Sequence, residues 1–398
     1  MTAAPCGDKI AARTDARAFS LLEDRRTQMK ASFRTVLWVL AALPAVLGLA
    51  ISARAQSVVD RANRGAVELM LDDSDAMSVE IAEDLASVID DGSTRRVVPV
   101  LGKGSLQNLT DLKSLRGMDM AIVQTDVLDY ARAQRVPPSV DTLTYIAKLY
   151  NEEFHLLAGP GVKSIGDLAG KKVDLGPAGG GTEVTGARVF DFLGIKIETT
   201  NYDHRLALQK LASGEIAAMA YVGGKPLALF AGLRQPQGLH FLAIPLNSRL
   251  ISAYVPSRLT AEDYPDLVPA NEAVDTIAVG TALMVTSLPT NTERYRNIAN
   301  FTEAFFTQFA KLQEAPHHPK WREVNLAGEL PNWRRFPPAE SWLKRNVSAP
   351  PTLSDQQMRD IFMKFLDERA RVSGQPMTAQ QKQDLFDQFK RWQTTQAH

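Results

Sequence analysis

The sequence predicts an α/β fold built from two similar halves. Three observations carry this. Short apolar runs alternate with amphipathic helical stretches from Val67 to Ile244. The strand–turn–helix order runs once as β-α-β-α-β and restarts near Phe154, which asks for parallel strands with right-handed crossovers. Glycine- or serine-rich turns follow strands at 102–105, 176–181 and 223–226, the carboxyl edge where open α/β sheets bind ligands.

Composition agrees with this class and removes others. The chain has 398 residues, 45% hydrophobic and 23% charged, enough for two or three domains. Lysine plus arginine (45) equals aspartate plus glutamate (45), so no net charge attracts nucleic acid. The single cysteine, Cys6, excludes a disulfide framework or a thiolate metal site within the chain.

Near the amino terminus, Val36–Ile51 is apolar and uncharged, but short of the roughly 20 residues a membrane helix needs, and it contains Pro44. Lys30 and Arg34 precede it and Ala53-Arg54-Ala55 follows, the pattern of a secretory signal cleaved after Ala55. An uncleaved anchor is the alternative. Met29-Lys30 forms a compact signal start, which makes 1–28 a dispensable extension or an upstream start. Arg25-Arg26 lies too far from the apolar core to favour a twin-arginine signal. Cleavage removes Cys6 and leaves 37 basic against 41 acidic residues, a charge of −4. Such a chain fits a bacterial periplasm, free or tethered to the outer face of the inner membrane.

In the first half, strands are expected at Val67–Leu71, Val97–Leu101, Met118–Gln124 and Thr142–Tyr150. Helices are expected at Ser78–Ile89, Leu106–Arg116 and Val127–Arg135. In the second half the strands are His155–Gly159, Val173–Leu175, Lys196–Asn201, Ile216–Tyr221 and Leu239–Ile244. The helices are Ser164–Leu168, Glu183–Leu193, Arg205–Gly214 and Leu227–Leu233. Residues 275–290 read as strands returning to the first half, and Asn291–Leu312 as a long helix. Two amphipathic helices capped by Ser354 and Thr378 form a tail whose apolar stripes pack on this chain or on a partner.

The turn at 176–181 carries the most chemistry. Four of its six residues are glycine, so it cannot hold regular structure. Thr182 reads as an N-cap and Glu183 as a first-turn acid. Backbone N–H groups of such a turn converge where a small anion sits. The lysine of a phosphate-binding loop is missing, and so is the G-x-G-x-x-G pattern. A plain tight connection remains the alternative.

Several segments, in order, resemble the solute-binding proteins of TAXI-type TRAP transporters. They are Gly104-Ser105-Leu106-Gln107-Asn108, Met120 to Asp126, Leu149-Tyr150 with Glu153 to Leu157, Ile165 to Val173, the turn at 176–181 with Thr182-Glu183, Gly214 to Ala218, and Gly223-Gly224-Lys225-Pro226. The resemblance covers most of residues 66–345. It implies a two-lobed type II periplasmic binding protein, a Venus flytrap, with a C-terminal helical extension. Lobe 1 is then 66–150 and 250–345, lobe 2 is 151–249 and the tail 350–398, with crossovers near Tyr150–Asn151 and Arg249. Members bind small organic acids or amino acids. Two departures stand out: Asp72 to Ser78 replaces a glycine-rich, tyrosine-containing turn, and Gly180 replaces a serine.

The site expected from this resemblance is a carboxylate clamp. Gly179, Gly180, Gly181 and Thr182 face Gly104, Ser105 and Asn108, and two helix N-termini supply neutral donors. Gln124 and Asp126 reach ligand polar groups, or Asp126 is a plain N-cap. Tyr150 stacks on the ligand or packs in the core; Ser74 and Tyr221 complete the set. Asp72, Asp73 and Asp75 either receive a cation or form a solvated turn. Lys103 and Lys225 could add positive charge, though exposed lysines ordinarily only solvate. His317-His318 lacks a third ligand at metal spacing. His155 and His204 accompany no recognisable nucleophile motif, and no G-x-S-x-G occurs. No catalytic residue, cofactor or metal is expected.

The expected function is a non-enzymatic, monomeric, exported solute-binding protein that passes a carboxylate-bearing solute to TRAP permease subunits. A periplasmic sensor presenting solute to a signalling partner is the alternative. An enzyme on the same fold is a third reading, and it asks for a reactive lysine, cysteine or acid–base pair in the cleft.

Overall fold

The computed structural model describes residues 65–71, 76–233, 238–346 and 377–396, with parts of 356–367. The leader, Cys6 and the acidic turn with Ser74 lie outside the described residues.

The first half begins with β1 (Ala66–Leu71), α1 (Ala76–Ile89), β2 (Arg96–Leu101), α2 (Ser105–Ser114), β3 (Met120–Gln124) and α3 (Thr125–Gln134). β1 pairs in parallel with both β2 and β3. Alternate residues reach opposite layers, as a pleated strand requires. Leu69, Leu71, Met120 and Ile122 pack with Ile81 and Leu85 of α1. Met70, Ala121 and Val123 pack instead with Leu109 of α2 and Val127 of α3. Buried on both faces, β3 reads as a continuous apolar run.

One strand then joins the halves. β4 (Thr144–Ala158) is continuous over 15 residues, where the sequence suggested two strands flanking 150–151. The halves beyond it repeat the pattern: β5 (Lys172–Asp174), α4 (Gly181–Leu193), β6 (Glu198–Thr200), α5 (His204–Ala212), β7 (Ala218–Gly223), α6 (Ala228–Ala231), β8 (His240–Phe241), α7 (Ser248–Ala253) and β9 (Val255–Thr260). β5 lies parallel to β6 and β7. Phe154, Leu156, Ala218 and Ala220 fill one layer of this half; Leu157, Met219 and Tyr221 fill the other.

The return runs along β10 (Ala273–Val285). Its first part pairs with β9, its last part with β3, and Gly280 lies opposite Asn151 of β4. The crossing therefore lies beyond Arg249, which sits in α7 and pairs with Asp191 of α4 at 3.0 Å. Leu250, Tyr254 and Ile277 belong to the second half's core. β9 reads Val-Pro-Ser-Arg-Leu-Thr, and such a polar strand with an early proline gives little strand signal. α8 (Glu293–Leu312) then covers β1 and α1, and α9 (Pro337–Asn346) packs on α8, with Trp342 edge-on to Phe306 at 5.2 Å. In the tail, α10 (Ala379–Gln396) meets the preceding helical residues through Phe386 and Phe362, ring centroids 5.6 Å apart, and through the Lys382–Asp367 ion pair.

This is a two-lobed α/β fold with C-terminal helices. The strand order is β2-β1-β3-β10-β4-β7-β5-β6, and among the described residues β4 and β10 are the strands that run through both lobes.

Candidate functional site

The carboxyl edges of the two half-sheets face each other, and their turns touch. Gly104 precedes α2 with φ of +112°, a conformation that side chains rarely adopt. A Cβ there would stand 2.5 Å from the Cα of Gly180. The N–H groups of Leu106 and Gln107 at the α2 N-terminus both donate to the carbonyl of Gly179, at 3.2 Å each. A neutral carbonyl oxygen thus occupies the place where an anion's oxygen would be held. The expected turns do oppose each other, but they are in direct backbone contact.

Asp126 crosses the same seam. Its Oδ2 accepts the hydroxyls of Thr185 on α4 and of Tyr254, both at 2.8 Å. A plain N-cap is ruled out: Gln124 caps α3, and the Asp126 side chain is spent on the opposite lobe. Burial pushes its carboxyl above the usual range, against the lowering effect of the two hydroxyls and of Arg188. Its Oδ1 makes no hydrogen bond.

Gln124 ends β3 beside it. The amide Nε2 donates to Oε2 of Glu152 at 2.7 Å. The carbonyl Oε1 therefore faces the other way, toward Gly181, where a Cβ would lie 2.0 Å from it. Oε1 makes no hydrogen bond. Gln124 and Asp126 are 2% and 3% exposed. A buried polar atom left without a partner costs about 1–3 kcal/mol, so this pair needs an explanation.

Other expected residues are committed within their own lobe. Asn108 donates to the carbonyl of Leu71 at 2.9 Å and accepts from the Lys103 N–H at 3.2 Å, tying the 102–104 turn to β1. Ser105 Oγ accepts the Gln124 N–H at 3.3 Å. Thr182 is not the N-cap of α4: Gly180 is, and Thr182 Oγ1 accepts from Val222 N–H at 3.0 Å. Tyr150 lies in the first lobe's core. Tyr221 stacks on His204 with centroids 3.7 Å apart. Lys225 is held by Asp263 at 3.1 Å rather than standing free in the seam; Lys103 is exposed.

Around these residues the interior is polar and paired. Lys320 Nζ reaches both oxygens of Glu153 at 3.1 and 3.2 Å and Glu323 at 2.9 Å. His155 holds the Tyr221 strand from behind: its Nδ1–H donates to the Tyr221 carbonyl at 3.2 Å, and Nε2 accepts the Tyr264 hydroxyl at 2.7 Å. That pattern requires the neutral ring, and burial lowers its pKa to about 3. Glu152, Thr185, Tyr254 and Lys320 escaped sequence reading. The only hint was Glu152-Glu153 inside the apolar run Leu149–Ala158.

A family model for the NMT1-like family matches residues 80–330. The chain belongs to the NMT1-like family. The matched region holds the second lobe, most of the first without β1 and α9, both strands that join them, and every described seam residue of this family member. Among solved structures, the chain is similar to the alkanesulfonate-binding protein SsuA from Xanthomonas axonopodis pv. citri bound to MOPS. Identity is 14%, over 75% of this chain and 93% of that one, with a TM-score of 0.40. It is similar to an ancestral arginine-binding protein bound to arginine: 15% identity, 63% of this chain, 97% of that one, TM-score 0.40. It is also similar to the effector-binding domain of QuiR in complex with shikimate: 11% identity, 60% and 95% covered, TM-score 0.38. Among the described residues, no helix is long and apolar enough to cross a membrane.

Proposed function

We propose that this chain is an exported, non-enzymatic solute-binding protein of the TAXI type. It captures a small carboxylate-bearing solute between its lobes and presents the closed form to TRAP permease subunits. The observation that carries this reading is the meeting of the two turns at Gly104 and Gly179-Gly180, with the α2 N-terminus directed at an oxygen. A solute carboxylate replacing the Gly179 carbonyl gains charge-assisted bonds from the same two N–H groups. Capture then works by population shift: the solute stabilises the closed arrangement in proportion to its preference for it.

The test is thermal unfolding of the purified chain with succinate, glutamate and other small acids. A bound acid raises the midpoint with concentration. A flat response across the panel contradicts the reading. A sensory role is the second reading, favoured by the helical tail packed through Phe362 and Phe386 beyond the two lobes. Co-purification with a multi-span permease supports transport; co-purification with a signalling kinase supports sensing.

A further inference from the structure

We propose that this chain holds its own lobes shut: the Gly179 carbonyl is a built-in occupant of the α2 N-terminus, and a solute enters only by displacing it. This rests on the capture reading and adds how that site is regulated.

The turn at 176–181 offers the other lobe an acceptor. The Gly179 N–H donates back to Glu183 Oε2 at 2.8 Å, and the Gly180 N–H to the Pro177 carbonyl at 3.0 Å. Asn201 braces the same turn, donating to the Gly176 carbonyl at 2.9 Å and to Glu183 Oε1 at 3.2 Å. The Gly179 carbonyl faces α2 instead, where the Leu106 and Gln107 N–H groups meet it. Backbone conformation sets this aim. Gly179 has φ of +80°, while a Cβ there would meet Gln107 Cβ at 3.8 Å, an ordinary contact. Its φ, and not lack of room, asks for glycine.

The carbonyl thus takes two of the N–H groups that a helix's first turn leaves unpaired. It does not act alone. Thr185 and Tyr254 of the second lobe close on Asp126 of the first, and the Gln124 amide packs on the Gly181 backbone. All of these contacts come from the protein itself. A solute therefore reaches α2 only in the fraction of molecules whose turns have parted, and its apparent affinity is weakened by that fraction. A charged oxygen makes bonds roughly twice as strong as the neutral carbonyl's, which is how a solute displaces it.

Spin labels on Leu115→Cys and Leu206→Cys, exposed positions of the first and second lobe, report the separation of the lobes in the full chain carrying Cys6→Ser. The protein is unfolded, dialysed and refolded to strip it of any solute. Pulsed dipolar spectroscopy is then expected to give one short distance. Gly179→Ala is strained at φ +80° and turns the carbonyl away. Thr185→Val with Tyr254→Phe releases Asp126 by a separate route. Each is expected to move population to a longer distance. Calorimetric titration with glutamate and succinate is expected to show binding at least about fivefold tighter in Gly179→Ala, the factor of one neutral hydrogen bond. A stripped parent already at the longer distance overturns the proposal, and so do two variants that stay at the parental distance. An acid bound equally tightly by the parent and by Gly179→Ala also overturns it. Silence of both acids in every protein contradicts the carboxylate reading, while the distances still decide whether the chain holds itself shut.

Discussion

The Thr185 hydroxyl donates to Asp126 Oδ2 at 2.8 Å, tying α4 of one lobe to α3 of the other. Tyr254 adds a second hydroxyl to the same oxygen. Asp126 thus holds the lobes together through side chains, while Gly104 and Gly180 meet through backbone.

Removing one hydroxyl should loosen the lobes without harming either core. Thr185→Val keeps the shape and leaves Tyr254 on Asp126. A loss of about 1 kcal/mol is expected in urea unfolding, with a larger radius of gyration by solution scattering in the absence of solute. A variant as compact and stable as the parent removes Asp126 from any role in closure.

Gly104→Ala should separate the turns. It places a side chain at φ +112° and a Cβ 2.5 Å from Gly180. The cost is about 1–3 kcal/mol from the backbone conformation alone. Far-ultraviolet circular dichroism should stay native while solute binding is lost. Binding at parental affinity would show that the turns need not meet.

Lys320 and Glu153 are 6% and 5% exposed at the side chain, and Glu153 has Lys320 as its ion-pair partner, whereas Lys320 also reaches Glu323. Lys320→Met leaves Glu153 buried without its ion-pair partner, held by the Lys225 N–H and the Ser257 hydroxyl, at a cost of about 3 kcal/mol. The double variant with Glu153→Leu should recover much of it. Chemical denaturation of the three variants gives the coupling directly, and additive losses would contradict it.

Acid should destabilise the protein through His155. The folded ring binds a proton only at about 3, whereas an unfolded histidine binds one at 6.5. Between those values the unfolded state holds more protons, so stability falls as pH drops through the window. Between pH 7 and 4.5 the contribution is about 3 kcal/mol, at 1.36 kcal/mol per pH interval. His155→Gln should flatten that part of the curve measured by denaturation at several pH values. An unchanged slope would mean the ring charges without cost.

The alternation of strands and helices was legible because each lobe buries strands on both faces. Runs such as Met120-Ala121-Ile122-Val123 could hardly be anything else. The two turns were legible from their glycines, and their opposition was implied by the family resemblance. What stayed hidden was hidden by pairing. Glu152 and Glu153 interrupt an apolar run and suggest a surface break, but they are buried because the Gln124 amide, 28 positions away, donates to Glu152 and the Lys320 ammonium, 167 positions away, pairs with Glu153. β4 was therefore divided in two, and the crossing along β10 was placed too early. Likewise Asp126 has the local signature of a cap, and only the folded chain brings Thr185 and Tyr254 to it. Gly180, in place of a serine, has a local cause: a Cβ there would sit 2.9 Å from the Pro177 carbonyl.

Capture of a solute between the lobes is tested most directly by mass spectrometry of what the purified chain releases on denaturation, set beside the same measurement on Gly180→Trp. A stoichiometric small solute from the parent and none from a folded variant is the expected result. The same solute from both proteins would contradict a site at this seam.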